Sequence, residues 1–135
     1  MIRIFKYLII ICFTSTVVSS QNPVIDSLNN VFRNAKHDTT RANIYTALSE
    51  AFYLFKPDTV IPLSLNAIAL ADKNIATSTP EEKHSYLLSK IGSLNNLGVI
   101  YYYQGNIPLA LEYYHKSLKM SEELGDKQAI AQAIL

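Results

Sequence analysis

His37, His84 and His115 are the side chains here best suited to metal ligation or proton transfer near neutral pH. None belongs to a cluster of His, Asp and Glu at metal-ligand spacing on a helix, so each reads as a solvated surface histidine. The carboxylate pairs Glu81-Glu82 and Glu122-Glu123 are adjacent in sequence, and adjacent residues point to different faces of a helix. Glu81-Glu82 reads as helix-terminus charge and Glu122-Glu123 as a solvated face. The lone Cys12 excludes an internal disulfide and a cysteine-based zinc site. There is neither a Gly-x-Ser-x-Gly elbow nor a phosphate-cradling glycine loop. The expectation is a non-enzyme with no catalytic residue, metal or cofactor.

Tyr101-Tyr102-Tyr103 carries a different kind of chemistry. Successive helix positions turn by about 100°, so the three rings cannot share one face. Asn95, Val99 and Tyr102 are spaced four and three apart and form one stripe. An amide beside an aromatic ring suits a peptide, because Asn both donates to and accepts from backbone groups.

The elements that must position this stripe are helical. From Pro23 onward the apolar period is three and four throughout, with no alternating strand pattern. Ile25, Leu28, Phe32 and Ala35 predict a first helix ending near Lys36. His37-Asp38-Thr39-Thr40 breaks it and offers caps for a second, with Ile44, Leu48, Ala51, Phe52 and Phe55 on one face. Lys56-Pro57-Asp58 ends that run. Thr59 is expected to cap a third helix with Pro62 in its first turn and Ser64, Ala67, Ile68 and Ala71 inward. Thr79-Pro80-Glu81-Glu82 is a capping box with proline at the first helical position. The fourth helix then runs to about Gln104 with Leu87, Ile91, Leu94, Gly98 and Tyr101 in register. Gly105 stops it and Asn106 caps a fifth, whose face is Ile107, Ala110, Leu111, Tyr114 and Leu118. Gly125-Asp126 repeats the stop, and a sixth helix is expected from Lys127.

The 135 residues suffice for one domain with a modest core. The first twenty hold Arg3, Lys6 and no acid, then the apolar run Tyr7–Phe13 and the small-residue exit Val17-Val18-Ser19-Ser20. This is the pattern of a secretory signal, with cleavage expected between Ser20 and Gln21. Its apolar core is well short of the ~20 residues of a spanning helix, and Ile9-Ile10-Ile11 before Cys12 argues against a lipid anchor. A membrane would enter only through an uncleaved signal or a span further downstream. Without the signal, ten basic groups face eleven acidic ones, and no basic stripe marks a nucleic-acid partner.

Two segments repeat: Ile61-Pro62-Leu63-Ser64-Leu65 and Ile107-Pro108-Leu109-Ala110-Leu111 each open the second helix of a pair. Ile134-Leu135 falls 41 residues after Ser93-Leu94, as though a third pair begins there. Paired helices at such a period mark a solenoid. Leu94, Leu97-Gly98, Tyr101, Gln104-Gly105-Asn106, Ala110, Tyr114 and Ser117 together resemble a tetratricopeptide repeat, with Glu122 in place of its usual final proline. The pair over about Arg41–Lys73 is a degenerate relative, with Ala51 where Gly is expected and Leu54 where Tyr is. The organisation expected is a signal at 1–20, a capping helix at 21–37, a degenerate repeat at 38–79, a full repeat at 80–125 and the start of another at 126–135.

The resemblance implies an all-α, right-handed solenoid of antiparallel helix-turn-helix repeats, with Gly98 and Ala110 small where two helices approach. It also implies that Asn95, Val99, Tyr102 and Tyr103 look toward a concave groove. The alternative is that they contact the next repeat's helix. The expected partner is a protein or peptide held outside the cytoplasm, and nucleic acid is excluded. The signal, capping helix and repeats together resemble the sensory N-terminal region of longer bacterial signalling proteins. A free-standing, self-associating assembly protein is the other reading.

Overall fold

The computed structural model describes residues 22–125. They form five helices: α1 Pro23–Asn34, α2 Asp38–Ala51, α3 Pro57–Asn74, α4 Pro80–Tyr103 and α5 Ile107–Leu124. No strand occurs among the described residues. The expected signal at 1–20 with its expected cleavage before Gln21, and the expected sixth helix from Lys127, lie outside them.

Each helix packs on its successor or shares a neighbour with it. α2 and α3 form one antiparallel pair, α4 and α5 another, and α4 lies against α2, α3 and α5 at once. α3 and α5 do not pack on each other, and neither do α2 and α5. This is the all-α repeat solenoid expected from the period. α1 buries none of its own residues and closes the α2 end through the Phe32 and Tyr45 rings, 4.8 Å apart.

Local sequence accounts for the helix ends, with three corrections. The capping box holds: Thr79 N–H donates to Glu82 Oε2 at 2.9 Å, and Glu82 N–H to Thr79 Oγ1 at 3.3 Å. Gly105 and Gly125 have φ of 77° and 68°, the left-handed geometry that ends α4 and α5. Asn106 caps α5 by accepting from Leu109 N–H. In α2, however, the N-cap is His37, whose side chain makes no capping bond. Asp38 lies inside the first turn and accepts from Arg41 Nη1 at 3.1 Å instead. α3 starts at Pro57 rather than after Thr59, because proline's fixed φ suits the first helical position and holds Lys56 outside the helical region. Pro62 consequently sits in the second turn.

The third correction concerns which apolar residues are inside. α2 stops at Ala51, so Phe55 falls in a turn and is 65% exposed. In α5, Ile107 and Leu111 are exposed at 44% and 54%, while Ala110, Ser117 and Ser121 are buried. The helices meet through small residues, which lets their axes approach closely and turns larger neighbours outward. Ser49, Ser64, Ser89, Ser93, Ser117 and Ser121 are all buried, around a core that includes Val60, Leu97 and Ile100. Ser117 Oγ–H donates to the Ile91 carbonyl at 3.0 Å, tying α5 to α4. Gly98 faces the Tyr114 ring, whose atoms are the nearest to a Cβ placed there.

Candidate functional site

α4 is surrounded on three sides, and the fourth is the candidate site. Toward α2 it turns Ser85, Ser89, Ser93 and Asn96. Toward α3 it turns Lys90, whose ammonium pairs with Asp72 at 2.5 Å. Toward α5 it turns Gly98 and the carbonyl of Ile91. At about 100° per residue, Asn95, Val99 and Tyr102 lie on the remaining face of α4, away from the sides turned to α2, α3 and α5.

Asn95 and Val99 are half-buried and Tyr102 is 58% exposed. The Asn95 amide oxygen is itself buried and accepts no hydrogen bond. A buried acceptor without a donor costs about 1–3 kcal/mol, so such a group in a folded protein calls for a reason. Tyr103, 67% exposed, touches Tyr102 edge to face with ring centres 6.0 Å apart. It otherwise departs from the stripe. With Tyr53, Leu54, Pro57 and Ile100 it lines a cavity of about 330 Å³ at the turn end of the solenoid. Leu54 there is 83% exposed.

Sequence reasoning missed three participants. Asn96 uses all of its amide: Nδ2–H donates to the Thr46 carbonyl at 3.1 Å and to Ser49 Oγ, and Oδ1 accepts from the Tyr53 hydroxyl. The signal was present, since Ser89, Ser93 and Asn96 continue one polar stripe at helical spacing. Tyr53 and Tyr114 are the others. Burial pushes the Tyr53 phenol far above the ordinary tyrosine value, with Glu50 and the phenols of Tyr114 and Tyr103 adding to it. Burial likewise raises Tyr114, followed by the neighbouring phenols of Tyr103 and Tyr102. Four tyrosines thus gather around the end of α4, and the Tyr53 and Tyr114 phenols stay protonated donors at any physiological pH. Tyr101, expected in the core, is half-buried and stacks on Tyr113 at 5.5 Å and 6°.

The three histidines fall on three places: His37 before α2, His84 in α4 and His115 in α5. Among the described residues no group of three or more His, Cys, Asp and Glu converges. No helix among them is long and apolar enough to cross a membrane.

The α4–α5 pair, with glycine under a tyrosine ring and a left-handed glycine closing each helix, is the part of the chain that resembles a known family. Residues 92–124 match the Tetratricopeptide repeat family. No curated protein and no solved structure matches the chain. The matched tetratricopeptide repeat runs from Gly92 in α4 to Leu124 at the end of α5. It contains Leu94, Leu97, Gly98, Tyr101, Ala110, Tyr114 and Ser117. Tetratricopeptide repeats generally mediate protein–protein interaction and are generally non-catalytic scaffolds.

Proposed function

We propose that this protein is an exported interaction scaffold whose open α4 face holds a segment of another protein. The observation that carries the reading is the exposed ring of Tyr102, on the same face of α4 as the half-buried Asn95 and Val99. An exposed tyrosine concentrates contact energy at an interface, and Asn95 and Val99 extend the same face. The family's general role in protein–protein interaction supports the same reading. Export rests on the charged start, short apolar core and Val18/Ser20 spacing of the first twenty residues. A sensory role ahead of an output domain is the setting in which such a face reports a bound segment.

Two experiments test it. A photo-crosslinking amino acid placed at Val99 or Tyr102, in the organism that makes the protein, should yield discrete adducts. The same group at the exposed Lys83, in the first turn of α4, should yield none. Equal labelling at all three positions would remove the face assignment. Mass spectrometry of protein from the envelope fraction should find Gln21 at the mature N-terminus; an intact Met1 would refute cleavage.

A further inference from the structure

We propose that the groove between α3 and α5 binds a small amphipathic anion, an apolar body carrying one carboxylate or similar acidic head. α3 and α5 do not pack on each other, and α4 floors the space between them. The cavity so formed is about 500 Å³, a size usual for small-molecule sites. It lies on a different side of α4 from Asn95, Val99 and Tyr102, so the inference stands apart from the scaffold reading.

α4 is the antiparallel neighbour of both outer helices, so α3 and α5 run the same way and the groove has two unlike ends. At one end Leu65 and Ile68 of α3 stand across from Tyr113 of α5, over Leu94. Leu94 is buried, but Leu65 is half-exposed, so apolar surface here stays in contact with water. At the other end Asp72 holds Lys90 at 2.5 Å. Lys116 and Lys119 rise on the α5 wall, between Tyr113 and Glu123.

The charges favour an anion. Lys90, Lys116 and Lys119 line the groove against Asp72 and Glu123. Asp72 is already held by Lys90, and Glu123 stands four residues, about 6 Å, further along α5 than Lys119. Lys116 pairs with Glu112, whereas Lys119 has no ion-pair partner among the described residues. The Lys116 ammonium also leans over the Tyr113 ring, 5.4 Å from its centre, which puts positive charge at the boundary of the apolar half. A ligand that serves both halves lays its apolar body over Leu94 and its acidic head between Lys116 and Lys119. A cation would meet three ammonium groups there. A wholly polar anion would leave Leu65 and Tyr113 wet.

Calorimetric titration of the full chain with dodecanoate, kept below the concentration at which it forms micelles, tests this. Dodecanoate should bind once per chain. Dodecyltrimethylammonium, the same tail with the opposite charge, should bind at least about tenfold more weakly, and acetate not measurably. Leu65→Asp and Lys119→Glu alter exposed positions, so both variants should keep the helical circular dichroism of the parent. Each should weaken dodecanoate by about tenfold or more, and Lys119→Glu should erase the preference for the anion. Equal affinity for the two amphiphiles, or dodecanoate binding indifferent to both variants, would overturn the inference. So would a dimer in sedimentation that Leu65→Asp dissolves, because a second copy would then fill the groove.

Discussion

The ring of Tyr114 lies directly over Gly98: a Cβ at position 98 would stand 2.6 Å from Tyr114 Cδ1 and Cε1. No real pair of carbons packs so closely, so the α4–α5 approach depends on a missing side chain. Gly98→Ala should gain about 1 kcal/mol of helix propensity and lose about 1–3 kcal/mol to overpacking. The single mutant is therefore expected to be destabilised. In a Tyr114→Ala background the clash is gone, and the same change should stabilise by about 1 kcal/mol. Urea unfolding of the four proteins in the cycle checks the sign reversal. A Gly98→Ala variant more stable than its parent would remove the close-packing argument.

Asn95 and Asn96 should answer the same substitution oppositely. Asn96→Leu strands the hydroxyls of Tyr53 and Ser49 inside the α2–α4 contact, costing on the order of 1–3 kcal/mol for each group left unpaired. Asn95→Leu deletes an acceptor that has no donor, so the free protein should be unchanged or gain up to about 1 kcal/mol. Tyr102→Ala, at an exposed position, should stay within ~0.5 kcal/mol. Thermal melts of the three variants suffice. A large loss in Tyr102→Ala would place its ring in the packing and not on the open face.

Ser64 is buried with its hydroxyl unpartnered. In the second copy of the repeated Ile-Pro-Leu segment the corresponding residue is Ala110, also buried. Ser64→Ala should raise stability by about 1 kcal/mol, through the removed desolvation cost and the better helix former. Ala110→Ser should lower it by a similar amount. A destabilised Ser64→Ala would mean that the hydroxyl is satisfied in solution.

The capping box makes α4 sensitive to acid. Hydrogen bonds to Thr79, backbone first, hold the Glu82 carboxyl below its ordinary value of 4.5. A depressed carboxylate contributes stability above its unfolded value and loses it as pH falls through the folded one. The difference in Tm between the parent and Glu82→Gln should therefore be present at neutral pH and shrink as pH falls below 4.5. A difference independent of pH would show that the charge contributes nothing to the cap.

Helix punctuation was legible because it is local chemistry. Thr79-Pro80-Glu81-Glu82, Gly105-Asn106 and Gly125 each end or begin a helix through groups a few residues apart. Pro57 and Pro62 competed for one role, and the first took it because only Pro57 follows a residue free to leave the helical region. Which side of α5 faces inward was harder to read. Ile107 and Leu111 look like core by composition, yet Ala110, Ser117 and Ser121 are inside because close axes admit only small side chains. The stripe of Asn95, Val99 and Tyr102 followed from spacing alone. The partners of Asn96 lie 43 to 50 residues away, where no local pattern points.

The polar contact between α2 and α4 also sets how this molecule deforms. Sliding α2 along α4 by one turn, about 5.4 Å, would carry Thr46 and Ser49, and with them Tyr53 in the turn that follows, past their partners and strand each of them. Shear along that contact is stiff. α3 and α5 instead face a shared cavity, lined by Leu65, Ile68 and Asp72 on one side and Tyr113, Met120 and Glu123 on the other. Displacement along the α2–α4 contact breaks several hydrogen bonds at once, which fixes the axial register of one helix on the other.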